Sequence, residues 1–211
     1  MAPRSWIDRQ LRRRGITDRR VLDAMARVPR ELFVPDDVRD LAYADAALPL
    51  GCGQTVSQPF VVAWICQALA LDGDERVLDV GTGSGYQAAV LAELAREVYS
   101  IERIPELAEH ARKALAAAGY ERVHVQVGDG TLGLPEYAPY DGIAVAAAAP
   151  ELPQPLWEQL REGGRVVLPL GGAHDQELVA IERTPQGPRF QQSVPVRFVP
   201  LVGEEGYDGH E

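Results

Sequence analysis

The sequence predicts an α/β protein with a doubly wound, mostly parallel central sheet, an antiparallel C-terminal strand and an N-terminal helical extension. Three observations support this fold class. The apolar stretch Arg76–Val80 reads as a buried strand that runs into the turn Gly81-Thr82-Gly83-Ser84-Gly85 and then into a helix-forming segment. A second strand ends in Glu102, 21 residues after Gly81. Strands and helices then alternate to the end of the chain, which is typical of a parallel sheet.

The first part of the chain is predicted to be helical and then irregular. Apolar residues at helical spacing favour helices over about residues 4–14 and 18–27, the second capped by Thr17 or Asp18. Arginines interleave with these apolar residues, so they indicate solvated faces of amphipathic helices more than an RNA-binding arm. Residues 36–58 are turn-rich, and a helix is expected from Pro59 to about residue 71, ended by Gly73.

The remaining elements follow in order. Residues 98–102 and 123–127 are predicted strands, and the second runs into Asp129 and Gly130. Residues 141–149 are expected to be a fourth central strand, residues 155–161 a helix and residues 165–170 a fifth strand. Residues 177–183 and 194–201 complete the chain as a hairpin-like pair across a proline- and glycine-containing turn.

The glycine-rich turn predicts a nucleotide-like cofactor. Glycines allow the backbone to approach a ligand closely, and the helix that follows offers unpaired N–H groups. Glu102 stands where it could hold ribose hydroxyls, and Asp129 supplies a carboxylate on the same edge of the sheet, with an adenine amine as its expected partner.

Two adenosine cofactors compete for this turn. Residues 83–88 formally fit the GxGxxA pattern of NAD-binding proteins, but read from Gly81 the GxGxxG pattern fails at Tyr86. Three acids also suit a cationic cofactor better than a pyrophosphate, and they are Asp79, Glu102 and Asp129. These observations favour S-adenosylmethionine.

Composition and charge narrow the class of protein. Hydrophobic residues make up 46% of the 211-residue chain and charged residues 25%, as in ordinary globular proteins, and no apolar run approaches membrane-spanning length. The net charge of −10 is uneven, because residues 1–39 hold 10 arginines against 6 acids and residues 40–211 carry −14. This acidic body disfavours nucleic acid as a partner.

Cysteine and histidine usage indicates neither a metal nor a disulfide. Cys52 and Cys66 lack metal or redox spacing, and the four histidines are scattered. The start of the chain lacks a secretory-signal pattern. We therefore expect a cytoplasmic monomer with no metal and no membrane association, and the role of Cys52 stays open.

The motifs together carry a resemblance. With Asp79, the glycine-rich turn, Glu102 and Asp129-Gly130, the chain resembles class I S-adenosylmethionine-dependent methyltransferases, which implies a Rossmann-like methyltransferase fold. Segments outside this core resemble protein-L-isoaspartate O-methyltransferases, from about Trp6 to Val202. They are residues 53–59 (GQTVSQP), 139–145, 148–153, 163–165, 168–171 and 196–201 (VRFVPL). The first and last of these segments are specific to that family.

The resemblance implies an activity. Such an enzyme transfers a methyl group from S-adenosyl-L-methionine, leaving S-adenosyl-L-homocysteine, to the free α-carboxylate of L-isoaspartyl residues in damaged peptides and aged proteins. The methyl ester loses methanol to form a succinimide, which water partly opens to normal aspartate. The expected parts are N-terminal helices with a substrate-side loop (1–58), the cofactor-binding methyltransferase core (59–202) and an acidic flexible tail (203–211).

The resemblance also implies roles for individual residues. Ser57 is expected to be the active-site hydroxyl, and its other interpretation from the sequence is a helix cap before Pro59. Residues expected to bind the substrate peptide are Thr55, Val56, Arg197 and Val199, and the resemblance implies that residues 196–201 offer backbone groups to that peptide. Residues expected to bind the cofactor are Asp79, Gly81, Thr82, Gly83, Ser84, Gly85, Glu102, Asp129 and Gly130.

The predicted fold and cofactor also allow three other functions. A nucleic-acid methyltransferase usually carries an Asn/Asp-Pro-Pro-aromatic tetrapeptide after the fourth strand or a Pro-Cys nucleophile, whereas this chain has Ala147-Ala148-Ala149-Pro150 and no cysteine after a proline. A small-molecule O-methyltransferase differs in whether free acids or phenols compete with peptides. A cofactor-binding regulator without activity is separated from an enzyme by an assay.

Overall fold

The computed structural model describes residues 5–172 and 175–208. The chain begins with a π-helical turn (Ile7–Leu11), a 3-10 turn (Arg12–Arg14) and helix α1 (Arg19–Arg27). Two more 3-10 turns (Arg30–Leu32 and Asp36–Leu41) lead to a hairpin of β1 (Leu48–Gly51) and β2 (Gln54–Val56).

The core alternates strands and helices before a final hairpin, as the sequence predicts. Its elements are α2 (Pro59–Leu69), β3 (Arg76–Val80), α3 (Tyr86–Ala92), β4 (Glu97–Glu102), α4 (Pro105–Ala117), β5 (Val123–Val127), β6 (Tyr140–Val145), α5 (Gln154–Gln159), β7 (Leu160–Leu170), β8 (Gln176–Thr184) and β9 (Gly187–Val196).

Seven strands form one sheet in the order β5-β4-β3-β6-β7-β8-β9. The first five in that order are mutually parallel, and β8 and β9 join by antiparallel pairing. This confirms the doubly wound fold, with two antiparallel strands at the C-terminal end. The strand order reverses between β3 and β6, and ligands of such sheets bind outside the carboxyl ends of the strands at that switch point.

The N-terminal extension covers one face of the core. Helix α1 is capped by Asp18, whose carboxylate accepts hydrogen bonds from the backbone N–H groups of Arg20 and Val21, so Asp18 is confirmed as the cap. Helix α2 is apolar on all sides and almost wholly buried, because α1 and the first π-helical turn pack against the side that faces away from the sheet. Arg20 ties this layer to the core by donating to the carbonyls of Leu71 and Leu94.

Several predicted boundaries differ from the structure. The first predicted helix, residues 4–14, is helical over residues 5–14 but changes to a π-helical and then a 3-10 conformation, and residue 4 lies outside the described residues. The turn-rich segment 36–58 holds the β1–β2 hairpin. Helix α2 ends at Leu69, since Ala70 takes the left-handed conformation (φ 52°) that Gly73 was expected to supply.

Two strand ends are also displaced. Strand β6 stops at Val145, although the Ala146 N–H still donates to the Val80 carbonyl, and residues 146 and 147 line a cavity. The last strand was expected over residues 194–201 but runs over Gly187–Val196, and residues 197–201 leave the hairpin and return across the carboxyl edge of the sheet. The isolated bridge between Ala148 and Pro200 marks where this return segment, residues 197–201, reaches the end of β6.

The end of the chain folds back on the core. Residues 203–208 form a turn in which the Tyr207 N–H donates to the Leu201 carbonyl and the Tyr207 hydroxyl donates to the Gly171 carbonyl. The sequence led us to expect a flexible tail over residues 203–211. The described part of that segment is instead held by backbone and side-chain hydrogen bonds, and residues 209–211 lie outside the described residues.

Candidate active site

A cavity of about 370 Å³ lies at the carboxyl edge of the sheet, over the switch point between β3 and β6. Its walls combine loops that follow the central strands with the β1–β2 hairpin and the return segment. Among the residues predicted to act, those that line it are Thr55, Val56, Ser57, Gly81, Thr82, Gly83, Ser84, Glu102, Gly130, Arg197 and Val199. Asp79, Gly85 and Asp129 are not part of the lining.

The glycine-rich turn needs glycine because of its backbone conformation. Gly81, Gly83 and Gly85 have φ values of 89°, 53° and 86°, which residues with a Cβ rarely adopt. A Cβ on Gly83 would meet no protein atom closer than 3.7 Å. That distance, to Leu50, is ordinary van der Waals contact, so the backbone conformation and not crowding requires glycine here, and Gly83 lines the cavity.

Asp79 lies buried beneath the turn. Its carboxylate accepts hydrogen bonds from Gln87 Nε2 at 2.8 Å and from Ser100 Oγ at 2.7 Å, and the Ser100 hydroxyl also contacts the Thr82 hydroxyl at 2.5 Å. Burial raises the pKa of Asp79 to about 6, although both hydrogen bonds act in the opposite direction. The network ties β3, β4, α3 and the turn together and places a carboxyl group directly under the cavity.

Glu102 stands at the end of β4 and lines the cavity. Its carboxylate accepts hydrogen bonds from the backbone N–H groups of Gly83 at 2.9 Å and Ile104 at 3.0 Å. These bonds fix the carboxylate against the glycine-rich turn. Each carboxylate oxygen has a second lone pair, so Glu102 can still accept from ligand hydroxyls.

Asp129 has a different environment from the one expected for an adenine partner. Its carboxylate accepts from the Thr131 N–H at 2.9 Å, the Thr131 hydroxyl at 2.7 Å and the Glu204 N–H at 2.8 Å. Burial acts to raise the pKa of this carboxyl, but the hydrogen bonds from Glu204 and Thr131 lower it overall. Asp129 thus fastens the C-terminal turn to the loop after β5, while the adjacent Gly130 lines the cavity.

Gln87 is a cavity residue that the sequence analysis did not single out. It is only 6% exposed, and while its Nε2 binds Asp79, its Oε1 has no hydrogen-bond partner within the described residues. An unpartnered acceptor in a cavity wall, close to a buried carboxyl group, fits a ligand that carries a positively charged donor. The sequence feature that could have indicated Gln87 is that it is the one amide side chain in the otherwise apolar helix α3.

The residues present fit S-adenosylmethionine. Its ribose hydroxyls match the acceptor capacity of Glu102, its ammonium group matches Gln87 Oε1 beside Asp79, and the turn at Gly83 lines the same cavity. These are the donors and acceptors that such a cofactor requires, and each belongs to a different element of the switch point.

The substrate side of the cavity is built from the β1–β2 hairpin. Thr55, Val56 and Ser57 line it, and within the described residues the Ser57 hydroxyl has no hydrogen-bond partner. The interpretation of Ser57 as a helix cap is wrong, because the residue before α2 is Gln58 and no side chain caps that helix. The Ser57 hydroxyl is thus free to bind a ligand.

Arg30 fixes the backbone of Ser57. This guanidinium is fully buried, donates to the carbonyls of Ala42 at 2.7 Å and Ser57 at 2.8 Å, and stands 4.6 Å from the centre of the Tyr86 ring. Burial lowers the pKa of Arg30. Because Tyr86 follows the glycine-rich turn directly, one buried side chain contacts both the substrate side and the cofactor side of the site.

The charges that line the cavity are mainly positive. Three arginines (Arg14, Arg103 and Arg197) line it against one acid, Glu102, although the whole chain has a net charge of −10. Arg14 stacks on the Phe60 ring at 3.7 Å and pairs with Asp45 at 3.1 Å. A local excess of positive charge in an acidic protein favours an anionic ligand.

Neither cysteine belongs to the site. Cys52 is exposed at the β1–β2 turn with a left-handed backbone (φ 52°) and does not line the cavity. Cys66 is buried in α2, where burial raises the pKa of its thiol. Within residues 5–172 and 175–208, no cluster of histidine, cysteine and acidic side chains could hold a metal ion, and no helix is long and apolar enough to cross a membrane.

The chain matches one protein family over nearly its whole length. The family model described as protein-L-isoaspartate(D-aspartate) O-methyltransferase matches residues 4–206. Protein-L-isoaspartate O-methyltransferase 2 of Marinobacter nauticus is 57% identical over 206 residues, which cover 97% of this chain and 94% of the relative. The protein-L-isoaspartate O-methyltransferase of Aeropyrum pernix is also 57% identical, over 94% of this chain and 78% of the relative.

Solved structures give the same result. A protein-L-isoaspartate O-methyltransferase structure superposes with a TM-score of 0.84 at 29% identity, covering 97% of this chain and 67% of that chain. A putative protein-L-isoaspartate O-methyltransferase of Plasmodium falciparum, solved with S-adenosyl-L-homocysteine, superposes with a TM-score of 0.80 at 25% identity, covering 94% and 97%.

The burial of Asp79 predicts a pH dependence of stability. Its pKa of about 6 lies above the value near 4 of an unfolded chain, so between these values the folded protein binds the extra proton. The contribution of Asp79 to stability therefore rises as the pH falls from above 6 towards 4, by up to about 3 kcal/mol. We expect the unfolding free energy of the wild type minus that of Asp79→Asn to increase by this amount.

Urea unfolding at a series of pH values measures this difference. Asp208→Asn is the matched control, because it makes the same replacement at an exposed position. A difference between wild type and Asp79→Asn that stays constant from pH 7.5 to pH 4 would contradict the proposed environment of Asp79.

Asp129→Ala should destabilise the protein. It removes the acceptor of two hydrogen bonds from the buried Thr131 and of one from the exposed Glu204 N–H in the C-terminal turn, and leaving the Thr131 donors unpaired costs about 1–3 kcal/mol. Chemical denaturation measures the loss, and hydrogen exchange should increase over residues 202–207. Unchanged stability together with a loss of S-adenosylmethionine affinity would instead identify Asp129 as a direct cofactor ligand.

Proposed function

Because the chain belongs to the protein-L-isoaspartate(D-aspartate) O-methyltransferase family, it methylates L-isoaspartyl residues in protein repair with S-adenosyl-L-methionine as the methyl donor, and we propose that the cavity at the switch point is where the two substrates meet. The supporting observation is that one cavity is lined both by the glycine-rich turn with Glu102 and by the hairpin residues up to Ser57. A methyl donor and a methyl acceptor must share one space for in-line transfer.

The cofactor side uses backbone and carboxylate groups. Gly81, Gly83 and Gly85 give the turn its conformation, with Thr82 and Ser84 between them, and Glu102 accepts the ribose hydroxyls. Asp79 supplies negative charge beneath the cationic end of the cofactor, and Gln87 Oε1 accepts from its ammonium group. When bound, S-adenosylmethionine supplies an electrophilic methyl group and leaves as S-adenosylhomocysteine.

The substrate side positions a carboxylate. The α-carboxylate of an isoaspartyl residue is already ionised at neutral pH, so the enzyme needs no general base. The Ser57 hydroxyl donates a hydrogen bond to one carboxylate oxygen and leaves the other free to attack the methyl carbon. Arg30 holds the Ser57 backbone in place, and the arginines of the cavity wall favour the anion. The bond from that oxygen to the methyl carbon forms as the carbon–sulfur bond breaks.

The ester then reacts without the enzyme. The neighbouring backbone nitrogen attacks the ester carbonyl, methanol leaves and a succinimide forms, which water opens partly to normal aspartate. Because these later steps need no enzyme, the methyl transfer is the step that initiates repair. We also propose a monomeric, cytoplasmic protein that binds isoaspartyl peptides and no nucleic acid, with residues 1–58 as the substrate-side layer, residues 59–202 as the methyltransferase core and residues 203–211 as a C-terminal tail.

A matched pair of peptides tests the function. The purified protein is incubated with labelled S-adenosylmethionine and two peptides that differ only in containing L-isoaspartate or L-aspartate. We expect methyl ester on the isoaspartyl peptide and essentially none on the aspartyl peptide, because the two differ in where the backbone lies relative to the carboxylate. Equal methylation of both peptides, or methylation of free small acids, would reject the repair function.

Ser57→Ala should lower turnover much more than cofactor affinity. Removing one positioning hydrogen bond in a water-excluded site typically costs about tenfold to a thousandfold in kcat. Steady-state kinetics and calorimetric titration with S-adenosylhomocysteine measure the two effects separately. Ser193→Ala, on the exposed edge strand β9, is the control and should retain full activity. Full turnover in the Ser57 variant would remove this hydroxyl from the mechanism.

A further inference from the structure

The return segment is held by an unusual side-chain contact. Gln176, the first residue of β8, is 8% exposed, and its side-chain amide meets the backbone of Phe198. Gln176 Oε1 accepts from the Phe198 N–H at 2.6 Å, and Gln176 Nε2 donates to the Phe198 carbonyl at 3.3 Å. One side chain therefore satisfies both backbone groups of a single residue.

This contact extends the β8–β9 ladder beyond its end. The last backbone pair of that ladder joins Gln176 and Val196, and the two chains then separate. A primary amide has the same donor and acceptor as a peptide group, so the Gln176 side chain serves as the next rung. Beyond Phe198, the Val199 carbonyl accepts from the Ala148 N–H at 2.8 Å and the Leu201 N–H donates to the Ala148 carbonyl at 2.7 Å.

The contact between Gln176 and Phe198 leaves one short stretch of backbone without hydrogen-bond partners within the described residues. Val196 and Phe198 direct their backbone groups towards β8, so the alternation along an extended chain directs those of Arg197 to the opposite edge. Within the described residues, the N–H and carbonyl of Arg197 and the N–H of Val199 have no hydrogen-bond partner. Both residues line the cavity, so this edge faces the substrate side.

We infer that Gln176 is a positioning residue for the peptide substrate, an inference that rests on the proposed function. Its amide holds the Phe198 backbone and thereby presents the free edge at Arg197 and Val199 to the backbone of the isoaspartyl peptide, which adds as a short strand. Pro195 and Pro200 limit such pairing to the residues between them, because neither has an N–H group. Gln176 itself does not line the cavity, so its effect acts through the return segment.

Peptide length separates this role from a general structural one. A nonapeptide with isoaspartate at its centre can pair with the edge at Arg197, whereas a blocked tripeptide with the same central residues offers little backbone to it. Gln176→Met keeps the side-chain size but removes both hydrogen bonds. We expect kcat/KM for the nonapeptide to fall about tenfold to a hundredfold, mainly through KM, and kcat/KM for the tripeptide to change less than about threefold.

The control is Gln191→Met on β9, since the Gln191 amide contacts only the exposed side of the hairpin through Glu182. This variant should keep the wild-type ratio between the two peptides, and both variants should keep wild-type affinity for S-adenosylhomocysteine. An equal loss for both peptides in Gln176→Met, or an unchanged ratio, would overturn the inference while the methylation of isoaspartyl peptides by the wild type leaves the proposed function standing.

A second measurement uses the wild type alone and covers the case in which Gln176→Met fails to fold. Nonapeptides are N-methylated at one backbone amide at a time on either side of the isoaspartate. Removing the amide that donates to the Arg197 carbonyl should raise KM about tenfold, while the other positions should have smaller effects. A uniform response along the peptide would reject strand pairing. Methylation of neither the tripeptide nor the nonapeptide by the wild type would reject the proposed function itself.

Discussion

The buried carboxyl group of Asp79 is the point on which the cofactor side depends. It lies in β3, binds Ser100 of β4 and Gln87 of α3, and through Ser100 reaches Thr82 in the glycine-rich turn. A carboxyl group that is buried away from water requires hydrogen-bond partners from the protein. The bonds to Asp79 therefore hold two strands, a helix and the turn in one arrangement. The cost of burial is visible in the raised pKa of Asp79. A cationic cofactor above it would compensate for that cost.

The cavity exists because two segments cross the carboxyl edge of the sheet. From the N-terminal side, the β1–β2 hairpin is held by Arg30, which donates to the Ser57 carbonyl without any acidic partner within the described residues. From the C-terminal side, the return segment is held by Gln176 and Ala148, and the turn behind it by Asp129. Each anchor is buried or half-buried and lies beside the cavity.

The residues of the site fall into two groups, those that line the cavity and those that hold its walls in place. The groups that we propose to bind the ligands line the cavity, as Ser57, Glu102 and Gln87 do. Groups such as Arg30, Asp129 and Gln176 stand behind them and bind backbone, so they fix geometry without contacting the reacting atoms. Methyl transfer to a carboxylate needs orientation more than acid or base chemistry, and a site of this kind depends strongly on such supporting contacts.

The fold class, the glycine-rich turn and the family can all be predicted from the sequence. The turn follows from a local pattern, because the strand, turn and helix around Gly83 and the acid at Glu102 lie within a short stretch. The family follows from motifs spread along the chain, such as residues 53–59 and 196–201. The use of residues that act across the chain depends on the tertiary structure. The carboxylate of Asp129 binds Glu204, 75 residues away. Arg30 reaches Ser57, and Gln176 reaches Phe198, because folding brings loops from different ends of the sheet together at one edge. No local periodicity encodes such contacts, since they depend on which strand ends meet at the switch point.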